Sequence, residues 1–434
     1  MSSMSKRILA FLIFIIVMTP LLAGCMGEDR VYNEKPVVEI LYPCSKTTVF
    51  GIVMIGGLAY DEDGNDTLIN VEVKIGDGEW CIVDGVTNWS YDWRTYNITN
   101  GYYSVYARAW DGASYSDIDE ITLVVSNPEI SDSDAHKWAV FVAAANYPEK
   151  NESKLGNGGL YLAENIATYL IENCGYPTSN IVILFDDGWI RAENGYGTRI
   201  KPLQERVHKY DVAYGGATKA NMEAAIKYVI QQSNQYSDSE VFIWFFGHGY
   251  GDQNNQLTGG KILEKSSLFL WNNEVVTDSE LGKLLSSLRS KKTCIIVDAC
   301  YSGGFADKTI LNLPTLFLLH SGIPKPGRVV MTGASKFRSG YASTTQGPLF
   351  TLLWFDGLTT GKADGFRPGI SKTGRRTLLK FFKDGKVSVE EAFYYARYML
   401  RTSKVFDDYQ KMEPQINDQY PNRGVIRSLR GMHL

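Results

Sequence analysis

The chain has 434 residues, with 44 basic and 48 acidic side chains and a formal net charge of −4. That length exceeds one ordinary domain, and an apolar share of 44% is enough to bury a sizeable core. Charge is nearly balanced and the lysines and arginines are scattered, with Arg375-Arg376 one of a few short runs, so the basic footprint of a nucleic-acid binder is absent and no nucleic-acid partner is expected.

Lys6 and Arg7 precede an almost continuously apolar run over 8–22. The run is short and early for a membrane span of about 20 residues and has the make-up of a secretory signal. It ends Leu22-Ala23-Gly24-Cys25, which resembles a prokaryotic lipobox. The resemblance implies that residues 1–24 are removed and that the Cys25 thiol carries a lipid anchor. The alternative is an uncleaved N-terminal anchor. Either way the rest is expected outside the cytoplasm, tethered to the outer face of the membrane or the cell envelope, with 25–35 as the tether. Export permits disulfides. Cys44 and Cys81 fall in one expected domain and could pair; Cys174, Cys294 and Cys300 then leave at least one thiol free or paired outside the chain. Sequons at Asn65, Asn88, Asn97 and Asn151 suit an exported chain but decide little.

Residues 36–127 read as β. Short alternating or β-branched runs lie at 37–40, 71–75 and 103–109, punctuated by Asp-Gly turns at Asp63, Asp77, Asp84 and Asp111. Strands about ten residues apart suggest a β-sandwich, and the segment resembles the immunoglobulin-like modules of exported prokaryotic proteins. The acidic loop at 61–66 could hold Ca²⁺, but no bidentate Glu follows at EF-hand spacing, so a solvated turn is the reading preferred. A polar stretch over 128–136 is expected to be a linker.

From residue 137 the texture alternates. Apolar strands are expected at 138–145, 181–185, 241–246, 293–297 and 328–332, with helices at 160–171, 220–232, 278–288 and 349–358. This pattern predicts an α/β domain over 137–360, its mostly parallel sheet covered on both faces. After it, 361–434 is expected to form a helical extension, with a helix at 389–401 and a surface tail rich in Pro and Asn.

Two strand ends carry chemistry. The strand 241–246 runs into Gly247-His248-Gly249, and the strand 293–297 runs into Asp298-Ala299-Cys300-Tyr301-Ser302-Gly303. In a parallel sheet, sites form beyond the carboxyl ends of strands. A thiolate attacks, a neighbouring imidazole manages its proton, and flanking glycines let the backbone approach a peptide. The N–H groups of Gly249 and Cys300 are the candidate oxyanion donors. Cys294, inside its strand, reads as core, and His136, His208, His320 and His433 have no comparable setting.

Gly-His-Gly after one strand and Asp-Ala-Cys-x-Ser-Gly after the next, 52 residues apart from His to Cys, resemble the caspase–legumain superfamily of cysteine peptidases over about 138–358. The resemblance implies a caspase-like fold, a catalytic dyad of Cys300 and His248, and a peptide or protein substrate. It implies Asn146, after the first strand, as the residue that orients the histidine. It implies Asp298 as the acidic residue of the first specificity pocket, as in the metacaspases and clostripain-like enzymes that cleave after Arg or Lys; the other reading is an anchor for the cysteine turn. Ser335, in Thr332-Gly333-Ala334-Ser335, falls where the family builds a pocket wall. True caspase specificity needs Gln-Ala-Cys, and this chain has Asp-Ala-Cys; the legumain arginine after the first strand has no match, as Tyr147-Pro148-Glu149 follow Asn146.

No His-Glu-x-x-His, paired Cys-x-x-Cys or P-loop occurs, so no catalytic metal or other cofactor is expected. A Ca²⁺ requirement, known among metacaspases, would draw on Asp364 or Asp384. The segments 210–216 and 253–265 are the candidate activation loops. The expectation is thus an exported cysteine endopeptidase. A ligase of the same fold, an Asn-specific peptidase and an inactive surface-binding lipoprotein are the alternatives.

Overall fold

The computed structural model describes residues 33–96, 98–127, 135–147, 154–250, 265–309, 311–368, 383–402, 404–406, 410–421 and 431–434. The apolar run at 8–22, Cys25, most of the tether and linker, Arg375-Arg376 and most of the candidate loop at 253–265 lie outside the described residues.

The N-terminal part is all β. It comprises β1 (Val37–Tyr42), β2 (Thr48–Val49), β3 (Ile52–Tyr60), β4 (Asn70–Ile75), β5 (Cys81–Ile82), β6 (Asn88–Arg94), β7 (Gly101–Trp110) and β8 (Asp119–Val125). Two sheets form, β1-β3-β6 and β2-β8-β7-β4-β5, antiparallel except for the short β2–β8 pair. Alternation puts Val71, Val73, Val105, Ala107 and Ala109 of one sheet against Val53, Ile55, Trp89 and Trp93 of the other, which is the sandwich core. Cys44 precedes β2 and Cys81 lies on β5, at opposite edges of the five-stranded sheet, and both are unbridged and exposed. The pairing the sequence allowed is therefore not made.

The second part is α/β. Its strands are β9 (Lys137–Ala143), β10 (Ile181–Phe185), β11 (Trp189–Arg191), β12 (Arg199–Pro202), β13 (Ala213–Gly215), β14 (Glu240–Phe246), β15 (Gly249–Tyr250), β16 (Ser267–Phe269), β17 (Val275–Thr277), β18 (Lys292–Asp298), β19 (Arg328–Thr332), β20 (Ala342–Ser343), β21 (Gly347–Pro348) and β22 (Gln415–Asp418). The helices are α1 (Gly158–Cys174), α2 (Lys219–Ser233), α3 (Asp278–Leu284), α4 (Leu349–Thr359) and α5 (Val389–Thr402). The main sheet runs β13-β10-β9-β14-β18-β19-β22, parallel throughout except for β22. This is the expected mostly parallel sheet flanked by helices, made mixed by the antiparallel β22.

Its strands are continuous apolar runs because both faces are covered. On one face Phe141, Trp244, Phe246, Cys294 and Ile296 pack with α1, α4 and α5. On the other, Val140, Ile243, Phe245, Ile295 and Val297 pack with α2 and α3. Local signals set the helix ends: Gly175 takes φ 71° to close α1, and Thr277 with Glu280 forms a capping box on α3. That helix ends at Leu284 and tightens into a 3₁₀ turn over Leu285–Ser287, short of the expected 288.

One expectation is corrected. Among the described residues beyond 360 the expected helix is present, but it and a strand belong to the α/β core and are not an extension outside it. Helix α5 buries Phe393, Ala396 and Leu400 in the same core, and β22 adds to the sheet with Gln415 and Ile416 buried. The β-sandwich also packs on the α/β part. Ile52 packs in the core with Ala213, Asn221 accepts from Arg94 Nε at 2.9 Å and donates to Asp92, and the Tyr96 and Tyr228 rings stack with centroids 4.5 Å apart. Burial at this junction pushes the Asp92 carboxyl up to about 6.

Candidate active site

Strand β14 pairs with β18 in parallel register, Phe246 opposite Asp298. His248 and Cys300 each lie two residues further on, so both emerge at the same edge of the sheet. Gly247 makes the turn after β14: a Cβ there would meet the carbonyl oxygens of Ala144 and Phe269 at 3.0 Å. Gly249 is packed against the nucleophile itself, where any side chain would run into the Cys300 carbonyl oxygen. Glycine at both positions is what lets the histidine turn lie on the cysteine turn.

Tyr301 follows Cys300 with φ 56°, a left-handed conformation that a non-glycine residue adopts only when its surroundings impose it. Its N–H donates to Arg338 O at 2.8 Å, and its carbonyl accepts the Ser266 hydroxyl at 2.6 Å. The same hydroxyl accepts from Gly304 N–H at 2.9 Å. The cysteine turn is thereby tied to two other segments.

Cys300 Sγ accepts from Gly340 N–H at 3.2 Å and donates to Gly340 O at 3.6 Å. Burial pushes the thiol up; hydrogen bonds from Gly340, Gly249 and Ser339 oppose this, while the charge of Asp298 adds to it. At rest the group is a thiol, and it needs a base to become a nucleophile. Gly249 N–H, a candidate oxyanion donor, faces this sulfur.

The remaining candidates are placed differently. Asn146 is 1% exposed, and its Nδ2 donates to Asp186 Oδ2 at 2.7 Å and Asn157 Oδ1 at 3.3 Å. Asp186 Oδ1 also accepts the N–H groups of Ala145 and Asn146, at 2.6 and 3.2 Å. This carboxylate bends the chain after β9, so that the next residue, Tyr147, meets His248. Tyr147 Oη accepts from His248 N–H at 3.3 Å, and the two rings are 5.3 Å apart. The Asn146 amide N–H groups thus go to Asp186 and Asn157, and Tyr147 is a contact of His248 that the sequence reading passed over.

Asp298 is 2% exposed, and its Oδ2 accepts both the N–H and the hydroxyl of Thr351, at 2.9 and 2.8 Å. Burial pushes its carboxyl up to about 6. Ser335 is fully buried; its hydroxyl accepts from Phe337 N–H at 3.4 Å and its N–H donates to Met412 O at 3.0 Å. It belongs to the core, not to a pocket wall. The segment a few residues on, with Ser339 and Gly340 at the sulfur and Phe337 and Tyr341 exposed, lies beside Cys300 instead.

Among the described residues, no group of three or more His, Cys, Asp or Glu side chains is placed to hold a metal ion. The carboxylates considered for Ca²⁺ are engaged locally: Asp61 accepts from Asp63 N–H and the Thr67 hydroxyl, Asp364 from the N–H groups of Asp384 and Gly385.

Residues 136–348 match the family model of the caspase domain. The match, on a caspase-like α/β fold, supports a cysteine peptidase of the caspase family in general. Caspase-1 from Spodoptera frugiperda is similar over 68% of this chain and 94% of its own, at 12% identity and a TM-score of 0.32. The fibronectin(III)-like modules of CbhA from Clostridium thermocellum are similar over 22% of this chain and 49% of theirs, at 24% identity and a TM-score of 0.19. The endo-beta-1,4-mannanase from Thermotoga petrophila is similar over 24% of this chain, at 18% identity and a TM-score of 0.20; this chain spans about a fifth of its length, 22%. No curated protein sequence matches the chain.

Proposed function

We propose that the caspase-like domain is a cysteine-type endopeptidase held at the cell surface, with Cys300 as nucleophile and His248 as its acid and base. One observation carries this reading: the register of β14 on β18 brings Gly-His-Gly and the cysteine turn to one sheet edge, with Gly249 on the Cys300 carbonyl. His248 takes the thiol proton as Sγ attacks the peptide carbonyl, and a carbon–sulfur bond forms. The tetrahedral oxyanion faces the N–H groups of Gly249 and Cys300. His248 then protonates the leaving amine, and water hydrolyses the thioester to free the thiol.

Cleavage after Arg or Lys is the preference we assign. Its support is a carboxylate, Asp298, close enough to the sulfur for its charge to act on the thiol. The bonds from Thr351 favour a second reading, in which Asp298 anchors α4 and the exposed rim at Phe337 and Tyr341 selects the substrate. Surface attachment is supported by the apolar run at 8–22 ending in Cys25; Cys25→Ser should release the chain from the membrane fraction, and retention there would count against the lipid.

The test is the full chain against fluorogenic peptides that vary the residue before the scissile bond, with and without Ca²⁺, beside Cys300→Ala. Thiol-dependent cleavage after Arg or Lys, lost in the variant, is expected. Cleavage after Asn would move the preference to the legumain side, and joined peptides would indicate a ligase. Full activity in Cys300→Ala would overturn the nucleophile. Binding without cleavage of any peptide would favour a surface-binding protein.

A further inference from the structure

We propose that Tyr147 is the positioning residue of the dyad, holding His248 through its main chain. This rests on the peptidase reading above. Three groups close a ring of hydrogen bonds. Tyr147 Oη accepts from His248 N–H at 3.3 Å and donates to Phe269 O at 3.1 Å, while Phe269 N–H donates to His248 O at 2.9 Å. Both polar groups of the His248 main chain are thus fixed, one directly by the phenol and one by the strand the phenol also grips. Gly247 completes the arrangement, since a Cβ there would press on Tyr147 Oη at 3.1 Å.

A hydroxyl can accept from one main-chain group and donate to another at a single atom, which a phenylalanine in its place could not. The phenol is 3% exposed, and burial keeps it in its neutral, donating form, with the Asp186 charge acting in the same sense. Its ring lies against the imidazole, centroids 5.3 Å apart. The side chain therefore limits both where the histidine main chain sits and how far the imidazole can swing relative to Cys300. The hydrogen bonds of Tyr147 Oη are to main-chain atoms. Its effect is on the fraction of time the imidazole spends within reach of the sulfur, a term in catalytic turnover and not in substrate binding.

Asp186 sets this up from the other side. By accepting the N–H groups of Ala145 and Asn146 it fixes the bend that carries Tyr147 across to β14 and β16.

The test is Tyr147→Phe in the full chain. The variant keeps the ring and loses only the oxygen. We expect kcat to fall about tenfold, the worth of roughly one net hydrogen bond, with KM changed less than about twofold. With ¹³C-labelled histidine, the His248 ring signal, assigned against His248→Ala, should broaden or double. Wild-type kcat with a single sharp His248 signal would overturn the inference. So would a fall in kcat matched by a fall in melting temperature with the His248 signal unchanged, which would make the phenol a structural bolt. If no peptide is cleaved even by the wild-type chain, the peptidase reading fails, and the His248 signal alone still decides whether Tyr147 holds the ring.

Discussion

Thr351 gives Asp298 two hydrogen bonds on one oxygen, from its N–H at 2.9 Å and its hydroxyl at 2.8 Å. Thr351 is the third residue of α4, so a carboxylate on β18 does for this helix what a capping side chain usually does from the preceding residue. One side chain thereby links the strand that bears the nucleophile to the helix behind it.

The Asp298 carboxyl is pushed up to about 6 by burial, above its ordinary value of 3.8. Between those values the folded chain holds a proton that the unfolded chain has released. The group's contribution to stability is therefore full below about 4 and is lost as pH rises through about 6. Asp298→Asn keeps an acceptor for Thr351 and carries no charge. Melting temperatures at pH 4, 5, 6 and 7 should fall less steeply in this variant than in the wild type; an unchanged slope would assign the pH dependence to other buried carboxylates. The same variant separates the two readings of specificity: loss of cleavage after Arg or Lys alone marks a pocket, and a uniform change marks an anchor.

Gly249→Ala should disarm the site without unfolding the domain. The added methyl has nowhere to go but into the Cys300 carbonyl, so the two turns must part. Turnover should drop by about 100-fold, on the scale of one lost oxyanion donor, with the far-ultraviolet circular dichroism unchanged. Near-normal turnover would mean that the two turns are not held as closely as the packing implies.

Ile52→Ala should weaken both parts of the molecule together. Ile52 is 1% exposed and packs in the α/β core although it belongs to the sandwich. Truncating a buried isoleucine costs about 2–5 kcal/mol. Urea unfolding followed by tryptophan fluorescence should show one transition at lower denaturant. Two transitions, with that of the α/β domain unmoved, would show that the parts fold independently.

The sheet was legible where its physics is local. Strands β9, β14 and β18 are buried on both faces and so read as unbroken apolar runs, and His248 and Cys300 follow directly from where two of those runs stop. Strand β13 has three residues and no periodicity to read, and β22, Gln-Ile-Asn-Asp, takes its strand character from pairing with β19 some 85 residues away in the chain. The second tier of the site was harder to read for a related reason. Choosing between Asn146 and Tyr147 requires knowing that Asp186, in the turn after β10, accepts the N–H groups of Ala145 and Asn146. Choosing Gly340 over Ser335 requires knowing that Ser335 N–H is drawn inward by Met412.

The contact of the sandwich with β13 also bears on what the chain does in a crowd. A last strand in a sheet offers a row of N–H and C=O groups on which a second molecule can build. Here Ile52 lies over Gly215, Gly51 lies against Ala213 and Met54 against Gly188, so the margin of the sheet is roofed by the molecule's own sandwich. Stripped of that roof, the α/β part would be a candidate for strand-by-strand aggregation, and the sandwich would be its solubility tag as well as its neighbour.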